Sequence, residues 1–159
     1  MKAIFLFLCF QLLLLNQKDN TPLGVFTPEN DNGINLILDV NLAEISIYDA
    51  TEVEDIVEIE VLFEGDSFIL GDTLVLQNIK NCYKFLIVTD EELIVLSRLN
   101  ETIEKGTIFR CKIKKDSKNR ILYIGNWVNG RKEGNWIYFR KNGEKKVVNY
   151  KKGIISDTL

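Results

Sequence analysis

Phe109-Arg110-Cys111-Lys112-Ile113-Lys114 alternates apolar and basic residues one by one. Side chains on a strand point to opposite faces in turn, so Phe109, Cys111 and Ile113 share one face and the charges share the other. The same alternation, with acid in place of base, runs through Val57-Glu58-Ile59-Glu60-Val61. There Val57, Ile59, Val61 and Phe63 are expected on a common face. Working outward, strand-like runs cover residues 24–27, 34–40, 44–48, 55–63, 67–70, 73–79, 83–88, 93–97 and 107–114. Turn residues punctuate them at Asn30-Asp31-Asn32-Gly33, Glu64-Gly65-Asp66, Gly71-Asp72, Asp90-Glu91-Glu92 and Lys105-Gly106. The one helical candidate, residues 99–105, is short. Pro22 and Pro28 are the only prolines, so every later residue keeps the N–H that a strand ladder needs. Short strands at this spacing predict an all-β fold, an antiparallel barrel or sandwich over residues 22–116. Phe63, Leu74, Leu76, Phe85, Leu96 and Phe109 are expected in its core.

The chain has 159 residues, 46% hydrophobic and 27% charged, a composition that can bury a core. It contains no histidine. That removes the commonest general base and metal ligand, and with them any Ser-His-Asp or Cys-His arrangement and any His-containing zinc site. No motif pairs a nucleophile with a base, so the expectation is a protein that is not an enzyme and needs no cofactor. The acidic stretch Glu52, Glu54, Asp55, Glu58, Glu60, Glu64 and Asp66 lacks the Asp-x-Asp-x-Asp-Gly spacing of a calcium loop and reads as a solvated strand face.

At the N-terminus, Lys2 precedes an apolar run over residues 3–15, interrupted at Gln11. A spanning helix needs roughly 20 apolar residues, so this run fits the central region of a secretory signal over residues 1–18 instead. Export leaves Cys82 and Cys111 in an oxidising compartment, where they either bridge or stay as two free thiols. The expected location is the periplasm, the outer envelope or the exterior. Nucleic acid is not expected as a partner, and membrane association is not required.

Charge is segregated. Residues 18–97 carry 17 Asp/Glu against 3 Lys/Arg, a net of −14, whereas residues 98–159 carry 16 Lys/Arg against 6 Asp/Glu, a net of +10. Either the basic part meets an external anionic partner or the two parts lie against each other.

The most specific signature follows. Tyr123-Ile-Gly125-Asn-Trp127-Val-Asn129-Gly130-Arg-Lys-Glu-Gly134-Asn-Trp136-Ile-Tyr138 partly returns after 23 residues, with Asn126-Trp127-Val128-Asn129-Gly130 over Asn149-Tyr150-Lys151-Lys152-Gly153. A period in the twenties marks stacked supersecondary units. Residues 121–153 resemble the MORN repeat family, above all its bacterial variant with Asn-Gly-x-x-Glu-Gly-x-Trp, here Asn129 to Trp136. The resemblance implies β-hairpins laid side by side over residues 120–159, serving as a scaffold or contact surface. Asn129-Gly130 and Asn142-Gly143 are expected as tight turns with positive φ. Trp127, Trp136, Tyr138 and Tyr150, beside Arg131, Lys132 and Arg140, form the candidate interaction surface, with a protein as partner, a second copy of the chain included. Residues 68–96 resemble small lipocalin-like barrels of the bacterial envelope by fold analogy, which makes a small apolar ligand an alternative function. An antitoxin-like or immunity-like role is a second alternative.

Export predicts that mass spectrometry of the protein from its native host finds a chain beginning within residues 16–20. A cytosolic chain with Met1 intact overturns it.

Overall fold

The computed structural model describes residues 21–29, 33–40, 43–53, 56–99, 101 and 103–158, with the backbone alone described at 43, 46–53, 56–60, 157 and 158. The segment read as an export signal lies outside these residues. The described chain is all β and forms a single antiparallel meander in which each strand pairs with the next. The strands are β1 (Gly24–Pro28), β2 (Ile34–Leu38), β3 (Ala43–Val53), β4 (Ile56–Leu70), β5 (Thr73–Gln77), β6 (Cys82–Thr89), β7 (Glu92–Val95), β8 (Ile108–Lys115), β9 (Ile121–Val128), β10 (Arg131–Phe139), β11 (Lys145–Lys151) and β12 (Ile154–Thr158).

A second pairing of β8 closes the sheet. Gly24 to Pro28 of β1 run antiparallel to Lys114 to Phe109 of β8, so β1–β8 form a closed eight-stranded barrel. A barrel is therefore the observed form of the expected barrel or sandwich. Closure leaves the eight strands with no long exposed edge.

The interior is built from alternate residues of every strand: Phe26, Leu36, Ile45, Phe63, Leu74, Leu76, Phe85, Leu93, Val95, Phe109 and Cys111 are all at most 2% exposed. Phe85 and Phe109 meet edge to face at 5.8 Å, and Phe63 meets Tyr83 in the same way at 5.3 Å. Exposure this low leaves almost no water-accessible surface on these side chains, so the barrel is packed where they meet.

Four expectations are corrected. Leu96 is half-buried, and the inward positions of β7 belong to Leu93 and Val95, because the strand is one residue out of the assumed phase. Val61 and Phe63 lie on opposite faces, at 50% and 2% exposure. Ile45 faces Phe63 while Ser46 faces Val61, so Leu62 is an extra residue, and this β-bulge reverses the alternation. Glu64-Gly65-Asp66 is no turn but the middle of the 15-residue β4. A Cβ on Gly65 would lie 2.6 Å from the Gln77 carbonyl oxygen and 2.7 Å from the Phe63 ring, so glycine serves here to let chains approach. The helical candidate at 99–105 falls in the β7–β8 connection, which is not helical among its described residues; Ile103 drops into the core at 1% exposure.

Replacing Phe85 by Ala is expected to cost about 3–5 kcal/mol, whereas Leu96→Ala costs well under that, measured by urea unfolding. Equal losses would contradict the inward phase assigned to β6 and β7.

Candidate interaction surface

β8 also starts the C-terminal sheet. One edge of β8 is taken by β1; the other is divided between β7, along Ile108–Arg110, and β9, along Ile113–Lys115. β7 has only four residues, and β9 occupies the part of the edge that β7 leaves. From there β9, β10, β11 and β12 continue the meander away from the closed barrel.

Two turns of this sheet, 23 residues apart, share one conformation. Asn129 and Gly130 have φ of 49° and 69°, and Lys152 and Gly153, 23 residues on, have 53° and 84°. Two successive positive φ values define the two-residue hairpin turn whose twist matches that of its strands. Asn142-Gly143 differs from expectation: only Gly143 has positive φ, and the loop is closed by Arg140 N–H to the Glu144 carbonyl and Gly143 N–H to the Arg140 carbonyl, so Asn142 remains in the ordinary region.

Strand register gathers aromatic side chains onto one face. Trp127 is opposite Lys132, Tyr123 is opposite Tyr138, and Gly134 is opposite Tyr150. Trp136 lies at the centre, with ring centroids of Tyr123 at 5.1 Å, Trp127 at 5.3 Å, Tyr150 at 5.9 Å and Tyr138 at 6.1 Å. Such pairs contribute about 0.5–1.5 kcal/mol each beyond the area they bury. Trp136 lies over Gly125, where a Cβ would fall 2.2 Å from its ring. Its indole N–H donates to the Asn126 carbonyl at 3.2 Å, and that of Trp127 donates to the Cys111 carbonyl at 2.8 Å. Trp136 and Tyr123 belong to the same buried cluster as the barrel core, with Trp127, Tyr138 and Tyr150 packed against it.

Burial therefore divides the seven surface candidates. Trp136 has no exposed area and lies beneath the others. Trp127, Tyr138, Tyr150 and Lys132 are half-buried around it. Arg131 and Arg140 are exposed; Arg140 pairs with Glu144 at 3.2 Å across the Asn142-Gly143 loop, away from the cluster. Sequence periodicity brought out the rings but missed Arg110, whose guanidinium lies 5.3 Å over Trp127.

Arg110 also explains part of the charge segregation. It pairs with Glu29 at 2.8 Å and with Glu92, and Lys114 pairs with Asp90. The basic strand β8 thus lies between acidic residues supplied by β7 and the ends of its neighbours. Partly exposed pairs contribute only ~0–1 kcal/mol each, so they orient the closure more than they drive it. Residues 116–159 keep 10 Lys/Arg against 4 Asp/Glu, a net of +6 on the C-terminal sheet.

Cys82 and Cys111 are not bridged: Cys111 is buried inside the barrel and Cys82 is exposed at the start of β6, so one thiol faces the core and the other faces solvent. Burial pushes the Cys111 thiol up to about 12, and its Sγ–H donates to the Ile113 carbonyl at 3.3 Å. Burial likewise raises the Tyr123 hydroxyl far above its usual range; it lies near Cys111 and Glu91 without a well-formed hydrogen bond among the described residues. The Tyr138 and Tyr150 hydroxyls are 3.2 Å apart, a contact that raises the Tyr150 phenol. Among the described residues no three Cys, Asp or Glu side chains converge as a metal site. No known protein family, curated protein or solved structure matches this chain.

Native protein is expected to label rapidly at Cys82 and not at Cys111, as read by mass spectrometry after brief exposure to iodoacetamide. Because the folded Cys111 value lies above the unfolded value of 9.0, its contribution to stability is complete below pH ~9 and declines as pH rises from there toward 12. Labelling of Cys111 in the folded protein at neutral pH would contradict its burial.

Proposed function

We propose that this is an exported, non-catalytic protein of the cell envelope, a structural or protein-interaction module in which the barrel is the scaffold and MORN-like C-terminal hairpins are the contact part. The absence of histidine motivates the non-catalytic reading, and the N-terminal apolar run motivates export. Packing of the barrel interior favours a surface function over an apolar ligand held inside.

The observation that carries the proposal is the sheet's last strand. β12 pairs with β11 and with no other described strand, so its outer row of N–H and C=O groups is available. It also displays Ile154 at 73% and Ile155 at 56% exposure. An exposed apolar edge strand is a template for strand addition. A second copy is the simplest partner, since two β12 edges related by a twofold axis pair antiparallel and complete each other's hydrogen-bond ladder.

Sedimentation of the exported chain is expected to show a concentration-dependent dimer that Ile154→Lys/Ile155→Lys converts to monomer without changing its unfolding midpoint. A wild-type chain that is monomeric throughout, with the variant indistinguishable from it, removes the second copy as partner.

A further inference from the structure

Lys132 projects from β10 into the aromatic face. Its Nζ is 4.3 Å from the Trp136 ring centroid, 5.7 Å from those of Tyr123, Trp127 and Tyr150, and 5.8 Å from that of Tyr138. All five rings, from three strands, lie within the roughly 6 Å over which an aromatic face attracts a cation. Among the described residues no carboxylate pairs with Lys132. The neighbouring Glu133 is turned away, its carboxylate accepting the Lys152 N–H at 2.6 Å. The hydrogen bond recorded for the ammonium goes to the Tyr138 hydroxyl at 3.3 Å.

A primary ammonium is a poor match for such a box. It carries three N–H donors and is strongly hydrated, and the box offers it one hydroxyl. A quaternary ammonium has no donors to satisfy and spreads its charge over methyl groups that pack on rings. The rim adds a second preference. Lys146 is opposite Tyr138 and therefore on the box's own face, and it is exposed. Lys152 is exposed on the turn whose Gly153 N–H donates to the Lys132 carbonyl at 2.8 Å. Cations around a cation box favour a ligand with an anion next to its ammonium.

We propose that the box of Trp127, Trp136, Tyr138 and Tyr150 is a receptor for a phosphocholine-type group, which Lys132 occupies until the ligand displaces it. The trimethylammonium takes the place of the Lys132 Nζ. The phosphate meets Lys146 and the released Lys132 ammonium at the rim. This site is distinct from the β12 edge and stands whether or not the chain dimerises.

The test titrates the full exported chain with phosphocholine, tetramethylammonium and inorganic phosphate, followed by tryptophan fluorescence and calorimetry. Wild type is expected to bind phosphocholine in the millimolar range. Lys132→Ala, which empties the box, is expected to bind tetramethylammonium about tenfold more tightly than wild type. Lys146→Ala should weaken phosphocholine and leave tetramethylammonium unchanged. Urea unfolding of both variants establishes that they fold. The proposal is overturned if neither wild type nor Lys132→Ala responds to either ammonium compound. It is equally overturned if Lys132→Ala binds and wild type does not, which makes Lys132 a permanent filler, or if inorganic phosphate alone reproduces the phosphocholine signal.

Discussion

Everything in this molecule depends on how the backbone of β8 is satisfied. Eight residues must find partners for their N–H and C=O groups on two edges, and an unpaired buried group costs about as much as a lost hydrogen bond. β1 covers one edge and closes the barrel. β7 is too short to cover the other, and β9 completes it. Barrel closure and the start of the C-terminal sheet are two consequences of one strand's hydrogen bonding. The side chains of β8 follow the same division: Phe109 and Cys111 fill the interior, while Arg110 and Lys114 meet Glu29, Glu92 and Asp90 outside.

That junction joins the two parts through a continuous core. The indole of Trp127 bonds to the Cys111 carbonyl, and Tyr123 and Trp136 carry the buried cluster from the barrel into the sheet. A pair of hairpins cannot bury an apolar face by itself. Here the face is covered by its own rings, by the Lys132 stem and by the adjoining barrel. The same aromatic density that stabilises the extension creates an electronegative box, and so one set of residues serves packing and a candidate binding chemistry.

Charge follows a related logic. The acidic first part and basic last part of the chain meet along β8, where Arg110 pairs with Glu29 and Glu92 and Lys114 with Asp90. The net of +6 beyond residue 115 remains on the extension. Within it Lys146 lies on the face of the aromatic box, and Lys151 and Lys152 directly precede the exposed isoleucines of β12.

Much of the architecture was legible in residue order because alternation is a local property. Phe109-Arg110-Cys111-Lys112 announces a half-buried strand wherever it is placed, and Asn129-Gly130 announces its tight turn, although the second turn of that kind falls at Lys152-Gly153 and not at Asn142-Gly143. Phase and partnership were decided elsewhere. The bulge at Leu62 turns Val61 outward against its pattern, Gly65 runs through a strand because the Phe63 ring needs its space, and Leu93 and Val95 displace Leu96 from the core. Each depends on which strand lies alongside, which no local stretch encodes. The C-terminal site shows the same division: composition supplied Trp127, Trp136, Tyr138 and Tyr150, but only cross-strand register buries Trp136, brings Arg110 over Trp127 and sets Lys132 among five rings, because those contacts join residues that the chain alone keeps apart.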